Sequence, residues 1–311
     1  MTQKQDFDLI IIGGGIAGMT AAIYAARANL KTAIVERQVC GGLVNSTYVI
    51  ENFPSYVSIN GMQLMEKVHE QVLHLGVQVE QVAEIMDLNL EGVLKRVETD
   101  ERLYQAPALI LATGCDPIRV PHLDHCEQVH YCSICDGPAY KGKRVVVVGG
   151  GNSGFDETLY LLSLGIESVT IVELMDKCLA DPITQESVAW RSNVEVCLQT
   201  RMKEIFMEGG CLSSAQLENT YTGKIRTIPV EGIFVFIGQR PNTGLFADKV
   251  RLSERGYILA DQDMQTNLPG VFAAGDVVEK RYRQIPTAMS DGAVAALSAG
   301  AFLRQKSQLL K

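Results

Sequence analysis

The stretch Asp8-Leu9-Ile10-Ile11-Ile12-Gly13-Gly14-Gly15-Ile16-Ala17-Gly18 decides the fold. An acid leads a short leucine and isoleucine run, which reads as a strand buried on both faces of a parallel sheet. Gly13-x-Gly15-x-x-Gly18 follows at once, then a helical run from Met19 to Ala28 closed by Asn29. Lys31-Thr32-Ala33-Ile34-Val35-Glu36 is the next strand. Strand, glycine turn, helix and acid-tipped strand in this order make one βαβ unit. The turn brings backbone amides to a pyrophosphate at the start of the helix, where Ile16 and Ala17 sit and the dipole favours anions. Glu36 is placed to accept hydrogen bonds from an adenosine ribose.

The pattern recurs. Arg144-Val145-Val146-Val147-Val148 leads into Gly149-Gly150-Gly151-Asn152-Ser153-Gly154, a helical run from Phe155 to Leu164, and the strand Ser168 to Glu173. The second candidate nucleotide site is therefore Gly149, Gly151, Asn152, Ser153, Gly154 and Glu173. Two such units indicate two Rossmann-like domains. Leu109 to Gly114 and Ile233 to Gly238 each read as a strand ending in a tight turn, and Val271 to Asp276 begins a last strand-turn-helix element. The expected fold is α/β, with a second nucleotide-binding domain over 114–244 inserted into a first domain made of 1–113 and 245–311. Residues 195–230 read as irregular strands and turns with no assignable chemistry.

The chain has 311 residues, 47% of them hydrophobic, which suits two packed domains and argues against disorder. A net charge of -8 opposes general binding to nucleic acid or anionic membranes. Lys280, Arg281 and Arg283 form the one local basic cluster worth naming, read as a solvated loop or a diphosphate contact. No stretch reaches the roughly 20 unbroken apolar residues a membrane crossing needs. The first thirty residues have a secretion-signal outline, with Lys4, an apolar core and Ala25-Ala26-Arg27-Ala28. Asp6, Asp8 and the glycine turn inside the apolar run count against it, and the expectation is a cytoplasmic protein.

Eight cysteines are scattered along the chain, most of them expected to be small buried hydrophobes in a reducing compartment. Cys132-Ser133-Ile134-Cys135 differs, because its spacing is that of a redox or metal motif. Two intervening residues let both sulfurs share one local turn and close a disulfide. His122, His125, Cys126 and His130 lie just upstream, so a tetrahedral zinc site is a competing reading. Their spacing matches no paired-ligand finger, and no metal is expected. His125 and His130 then read as polar linker residues or as groups that tune the sulfur chemistry.

From near residue 7 to near residue 303 the chain resembles the low-molecular-weight thioredoxin reductases. The matching stretches are Ile11 to Gly15 through Arg27, Cys40-Gly41-Gly42, Glu51-Asn52-Phe53-Pro54 and Cys132 to Gly137. They continue with Phe234 to Gly238 through Pro241-Asn242-Thr243, Pro269 to Val277, Tyr282 to Ile285 through Ala288, and Asp291-Gly292. The resemblance implies a homodimer that binds FAD through Gly13 to Gly18, Glu36, Arg37, Gly41, Gly42, Leu43, Asn52, Gly275, Asp276, Arg283, Gln284 and Ile285. Asp276 would reach the ribityl chain. It also implies that Cys135 faces the flavin, that Cys132 attacks the partner disulfide, and that Asp136 is the general acid for the leaving thiolate. From the residues alone, Asp136 also reads as a helix-start carboxylate.

The chain departs from the family after its second glycine motif. NADPH-dependent members carry a His-Arg-Arg cluster there, whereas this chain has Glu173-Leu174-Met175-Asp176-Lys177. A carboxylate repels a 2′-phosphate and suits a free 2′-hydroxyl, which argues against NADPH. NADH, a second FAD, or a vestigial site with electrons from ferredoxin remain as readings. Phe302 is the last aromatic residue, which weakens a flavin-covering aromatic tail. Leu43 stands where the family has Gln, and the linker from Gly114 to Cys132 is short. The expected function is electron transfer through FAD to Cys132–Cys135 and on to a thioredoxin-like protein or a small disulfide. The competing readings are a dithiol oxidase that passes electrons to oxygen, and a nucleotide- or zinc-binding redox-responsive protein without catalysis.

Overall fold

The computed structural model describes residues 3–47, 50–123 and 125–309. The chain divides into two compact units, residues 1–116 with 240–311, and residues 117–239. Gly114 to Asp116 and Arg240 to Gly244 pack with the first unit. Asn242 is the reason, since its backbone N–H donates to Gly114 O at 3.0 Å and its amide donates to Thr113 O and Asp116 Oδ1, both at 3.1 Å.

The first unit is built on a five-stranded parallel sheet in the order Val271–Ala273, Ala108–Leu111, Leu9–Ile12, Thr32–Val35, Gln78–Glu80. Alternate residues of the Leu9–Ile12 strand serve two cores. Leu9 and Ile11 pack with Met19, Ala22 and Ala295 of the flanking helices Ile16–Arg27 and Ile285–Leu309. Ile10 and Ile12 pack with Val97 and Tyr104 of a second sheet. That sheet has the order Gln3–Asp6, Arg102–Ala106, Lys95–Thr99, Ile85–Asn89. A strand covered on both faces has no use for polar residues, which is why the run reads as continuously apolar. The glycine turn hands over to its helix at Ile16, three residues before the expected start, and Asn29 follows the helix at φ 58°.

The second unit repeats the plan. Its parallel sheet runs Val129–His130, Gly232–Val235, Arg144–Val148, Ser168–Val172, Val194–Cys197. Val145 and Val147 face Phe155 and Leu161 of the helix Asn152–Ser163, whereas Val146 faces Met202 and Leu217 on the other side. Residues 195–230 are more regular than expected. Thr200–Glu208, Cys211–Asn219 and Ile225–Pro229 form an antiparallel three-stranded sheet. Register shifts between Met202 and Glu204 and between Phe206 and Met207 break its alternation. A one-residue slip moves side chains to the opposite face, so the strand period fades in the sequence.

Phe302 packs on Phe272 with ring centroids 6.4 Å apart, so the last aromatic residue of the chain belongs to the core of the first unit. Among the described residues no helix is long and apolar enough to cross a membrane.

Candidate active site

Both glycine turns have the same construction. Gly13 and Gly149 adopt φ 110° and 117°, and a Cβ at either would run into a carbonyl of the next strand's end, Ala112 or Phe236. A Cβ at Gly18 or Gly154 would meet the carbonyl of Gly13 or Gly149. At Gly15 and Gly151, by contrast, nothing lies within 4 Å of where a side chain would begin. The turn is therefore closed on its protein side and open at one position on the other, as a backbone cradle for an anion requires.

The two acids match as well. Glu36 Oε2 accepts from Gly14 N at 2.6 Å and Oε1 from Gln38 N at 2.7 Å. Glu173 Oε2 accepts from Gly150 N at 2.6 Å and Oε1 from Met175 N at 2.9 Å. Each carboxylate is thus fixed at the end of its strand, with lone pairs left over for a ribose hydroxyl.

In the first unit the remaining predicted residues converge on this turn. Gly41 N donates to Gly14 O at 2.9 Å, and Gly41 and Gly15 form an isolated bridge. Gly41 and Gly42 take φ 130° and 59°, and Leu43 lies in the short turn Gly42–Ser46 that follows. Gly275, at φ 83°, touches Ala17 so closely that a Cβ there would be 2.7 Å from the Ala17 methyl. Asn52 donates to Gln284 Oε1 at 3.3 Å, next to Ile285 at the start of the last helix. Arg37 turns outward to an ion pair with Asp116 at 3.6 Å.

Asp276 carries a feature no motif announced. Its Oδ1 is buried without a hydrogen bond, and Lys280 Nζ stands 3.4 Å away, an ion-pair distance outside hydrogen-bonding geometry. Lys280 instead donates to Asp291 at 2.7 Å. Burial pushes the Asp276 carboxyl above the usual aspartate range. A buried acceptor with no donor is costly, and a ligand hydroxyl would relieve it. Together with the open Gly15 position, this fits a flavin dinucleotide. Arg283 lies 3.9 Å from the Tyr257 ring centroid with Nε 3.4 Å from Asp276 O, and Arg281 lies over Tyr282. Lys280 and Arg283 are thus engaged within the protein, while Arg281 is exposed beside Tyr282.

In the second unit, Cys132 and Cys135 are joined as a disulfide with Cα atoms 5.4 Å apart. Cys132 precedes the short helix Ser133–Asp136, and Cys135 N points to Cys132 Sγ at 3.2 Å. Asp136 ends that turn and pairs with His130 Nδ1 at 3.2 Å. His130 Nε2 is in turn 2.6 Å from Tyr140 Oη. Of the other upstream candidates, Cys126 is buried beside Gln128 and Met207, His125 lies on an exposed turn, and the His122 side chain falls outside the described residues. Among the described residues no three His, Cys, Asp or Glu side chains are grouped to hold a metal ion.

Beside the second glycine turn, a cavity of about 430 Å³ is lined by Phe155, Asp176, Lys177, Gln185, Glu186 and Val196 among others. Asn152, at the start of its helix, accepts from Asp181 N at 2.6 Å, and Ser153 is exposed beside it. Sequence reasoning singled out neither this cavity nor Tyr140, and it named Lys280 and Asp291 without pairing them.

The family model for pyridine nucleotide-disulphide oxidoreductases matches residues 7–292. A 34.2 kDa protein in the rubredoxin operon of Clostridium pasteurianum is 39% identical over 310 residues, covering 98% of this chain and 100% of the relative. Thioredoxin reductase of Bacillus subtilis is 37% identical over 317 residues, covering 100% and 99%. The crystal structure of Lactococcus lactis thioredoxin reductase superposes with a TM-score of 0.92 at 35% identity, covering 96% of this chain and 99% of that one. With two glycine cradles and a closed CxxC pair on a matching fold, the chain belongs to the pyridine nucleotide-disulphide oxidoreductase family, as an FAD-dependent disulfide oxidoreductase of the thioredoxin reductase type.

Proposed function

We propose that this chain reduces the disulfide of a thioredoxin-like protein, or a small disulfide, through Cys132 and Cys135, with an electron donor other than NADPH. The observation that carries the redox assignment is the closed Cys132–Cys135 pair with Asp136 directly behind it. FAD, when bound in the first unit, supplies a two-electron store from which the disulfide is reduced. Gly13 to Gly18 hold its pyrophosphate, Glu36 its ribose, and Gly41 to Leu43 approach it by backbone. Asp276 accepts from a hydroxyl, while Asn52 and Arg283 to Ile285 complete the enclosure. Cys132, as thiolate, attacks the partner disulfide, and Cys135 resolves the mixed disulfide. Asp136 holds the proton that the leaving sulfur takes.

The reading against NADPH rests on Glu173. It is buried and tied by both oxygens to backbone amides, and a carboxylate at the end of this strand would repel a 2′-phosphate. The adjoining cavity offers Asp176 and Glu186 against a single Lys177. Its close likeness to the Glu36 site supports an adenosine with a free 2′-hydroxyl, from NADH or a second FAD. Anaerobic titration tests this. Reduction of the bound flavin by NADH, or two flavins per chain with electrons taken from reduced ferredoxin, supports the reading. Rapid reduction by NADPH at micromolar concentration contradicts it.

A further inference from the structure

His130 sits on the edge strand of the second unit's parallel sheet, where Val129–His130 pairs with Ile233 and Phe234. Its ring is mostly buried, with the Phe234 and Tyr140 ring centroids each 5.2 Å away. Both nitrogens are spoken for, Nδ1 by Asp136 Oδ2 at 3.2 Å and Nε2 by Tyr140 Oη at 2.6 Å. Strand pairing, two aromatic walls and a hydrogen bond at each nitrogen leave the imidazole one orientation, with Nδ1 on the carboxyl behind the cysteine pair. From this geometry we infer that His130, held by Tyr140, is a positioning residue that lets Asp136 alternate between acid and carboxylate during thiol–disulfide exchange. The inference rests on the general-acid reading of Asp136.

Cys132 thiolate attacks one sulfur of the partner disulfide, that S–S bond breaks, and the leaving thiolate takes the Asp136 proton. Asp136, now a carboxylate, removes the proton of Cys135. The Cys135 thiolate attacks Cys132 Sγ of the mixed disulfide, and the second leaving thiolate takes that same proton back. The two cysteine sulfurs are oxidised by two electrons and the partner is reduced by two. Asp136 therefore changes charge three times in the exchange, and a fourth time when it takes a proton from solvent before the next turnover.

A neutral imidazole can serve both of its forms. Toward the carboxylate, Nδ1–H donates and Nε2 accepts from the Tyr140 hydroxyl. Toward the acid, Nδ1 accepts and Nε2–H donates to the same hydroxyl, which has both a donor and lone pairs. Exchanging tautomers switches the hydrogen bonding without placing a new charge in a half-buried site.

The surroundings keep the ring neutral. Burial lowers the His130 pKa below the ordinary histidine value, against the opposing pull of Asp136. Burial also pushes Tyr140 up to about 12, with Asp136, Cys126 and Cys211 adding to the effect, so the phenol keeps its proton.

The test uses the flavin-loaded protein, reduced anaerobically with dithionite, and two disulfide probes. Hydroxyethyl disulfide releases a basic alkyl thiolate that needs a proton, whereas 5,5′-dithiobis(2-nitrobenzoate) releases an acidic aryl thiolate that does not. His130→Phe is expected to lower the ratio of the alkyl rate to the aryl rate by about tenfold or more. Tyr140→Phe, which removes one hydroxyl from a buried ring, is expected to lower it by about threefold.

His130→Gln has an amide that both donates and accepts but cannot become charged. It should restore most of the ratio at neutral pH, and it should abolish the loss of alkyl rate on acidification through the lowered His130 pKa. An equal fall on both probes in His130→Phe, or an unchanged ratio in both His130→Phe and Tyr140→Phe, would overturn the inference. Asp136→Asn separates the acid from the residue that positions it. If it leaves the ratio unchanged, the general-acid reading fails. If it lowers the ratio while the His130 and Tyr140 variants do not, only the role given to His130 fails.

Discussion

Gly15 and Gly18 belong to one turn yet answer to different constraints. Gly18 is glycine because the Gly13 carbonyl fills the place of its side chain, whereas Gly15 faces open space. Gly18→Ala should therefore destabilise the protein by about 2 kcal/mol through overpacking. Gly15→Ala should fold with an ordinary melting temperature and lose flavin, because its methyl would occupy the anion's place. Thermal melting beside the flavin content of the purified variants tells the two apart. Both glycines were legible from the sequence, since three glycines at this spacing between a strand and a helix mark a phosphate-binding turn. The orphaned Oδ1 of Asp276 was not, because a buried acceptor without a donor is a property of packing. The His130–Asp136 contact was hidden for a related reason. The histidine stood in a row of His and Cys residues and read as a polar linker residue or as a group tuning the sulfur chemistry, with nothing in the spacing to name its carboxylate partner.

The helix Asn152–Ser163 serves two functions at once. Its N-terminus opens the second glycine cradle, and the face carrying Glu157, Leu161 and Leu164 lies under the redox turn. The absent Cβ of Gly137 would be 2.9 Å from Leu164 and 3.0 Å from Leu161, so the backbone after Asp136 rests directly on this face. Glu157, one turn earlier, is the polar intruder. Burial pushes its carboxyl up to about 7, with the Ser133 hydroxyl pulling partly the other way. Even so, Glu157 Oε2 and Ser133 Oγ are both buried without a well-formed hydrogen bond.

The folded state thus holds this proton more tightly than the unfolded chain, whose carboxyl has the ordinary value of 4.5. Stability from the neutral form is complete below pH 4.5, falls as pH rises toward 7, and is constant again above it. Glu157→Gln should remove that decline. It should gain on the order of 3 kcal/mol over the parent protein between pH 4.5 and 7.5, read from urea unfolding at both pH values. Equal pH dependence in the two proteins would show that the carboxyl is not held neutral. The helix itself was legible from its glycine motif and apolar run. The antiparallel sheet over 200–229 was not, because its register shifts destroy the alternation that marks a strand.

At the scale of the whole chain, the repeated βαβ unit and the family resemblance led to an α/β, two-domain flavoprotein, and the matched fold bears this out. What repeats is chemical as well as topological, since each unit ends its second strand in a glutamate tied to the central amide of its glycine turn. The units differ in what surrounds that pair. The first adds Gly41-Gly42, Asp276 and the start of the last helix, and the second adds a cavity with more acids than bases. The acidic run after Glu173 was legible because it is local in sequence, whereas Asp276 and the last helix reach the first site from the far end of the chain.

That Cys132 and Cys135 are a redox couple served by bound FAD is the central claim. Anaerobic dithionite titration of the purified protein beside Cys135→Ser, at equal flavin content, tests it most directly. The protein should take up two electrons more per chain than the variant, because a disulfide and its dithiol form a two-electron couple. Identical uptake in the two proteins would contradict the claim.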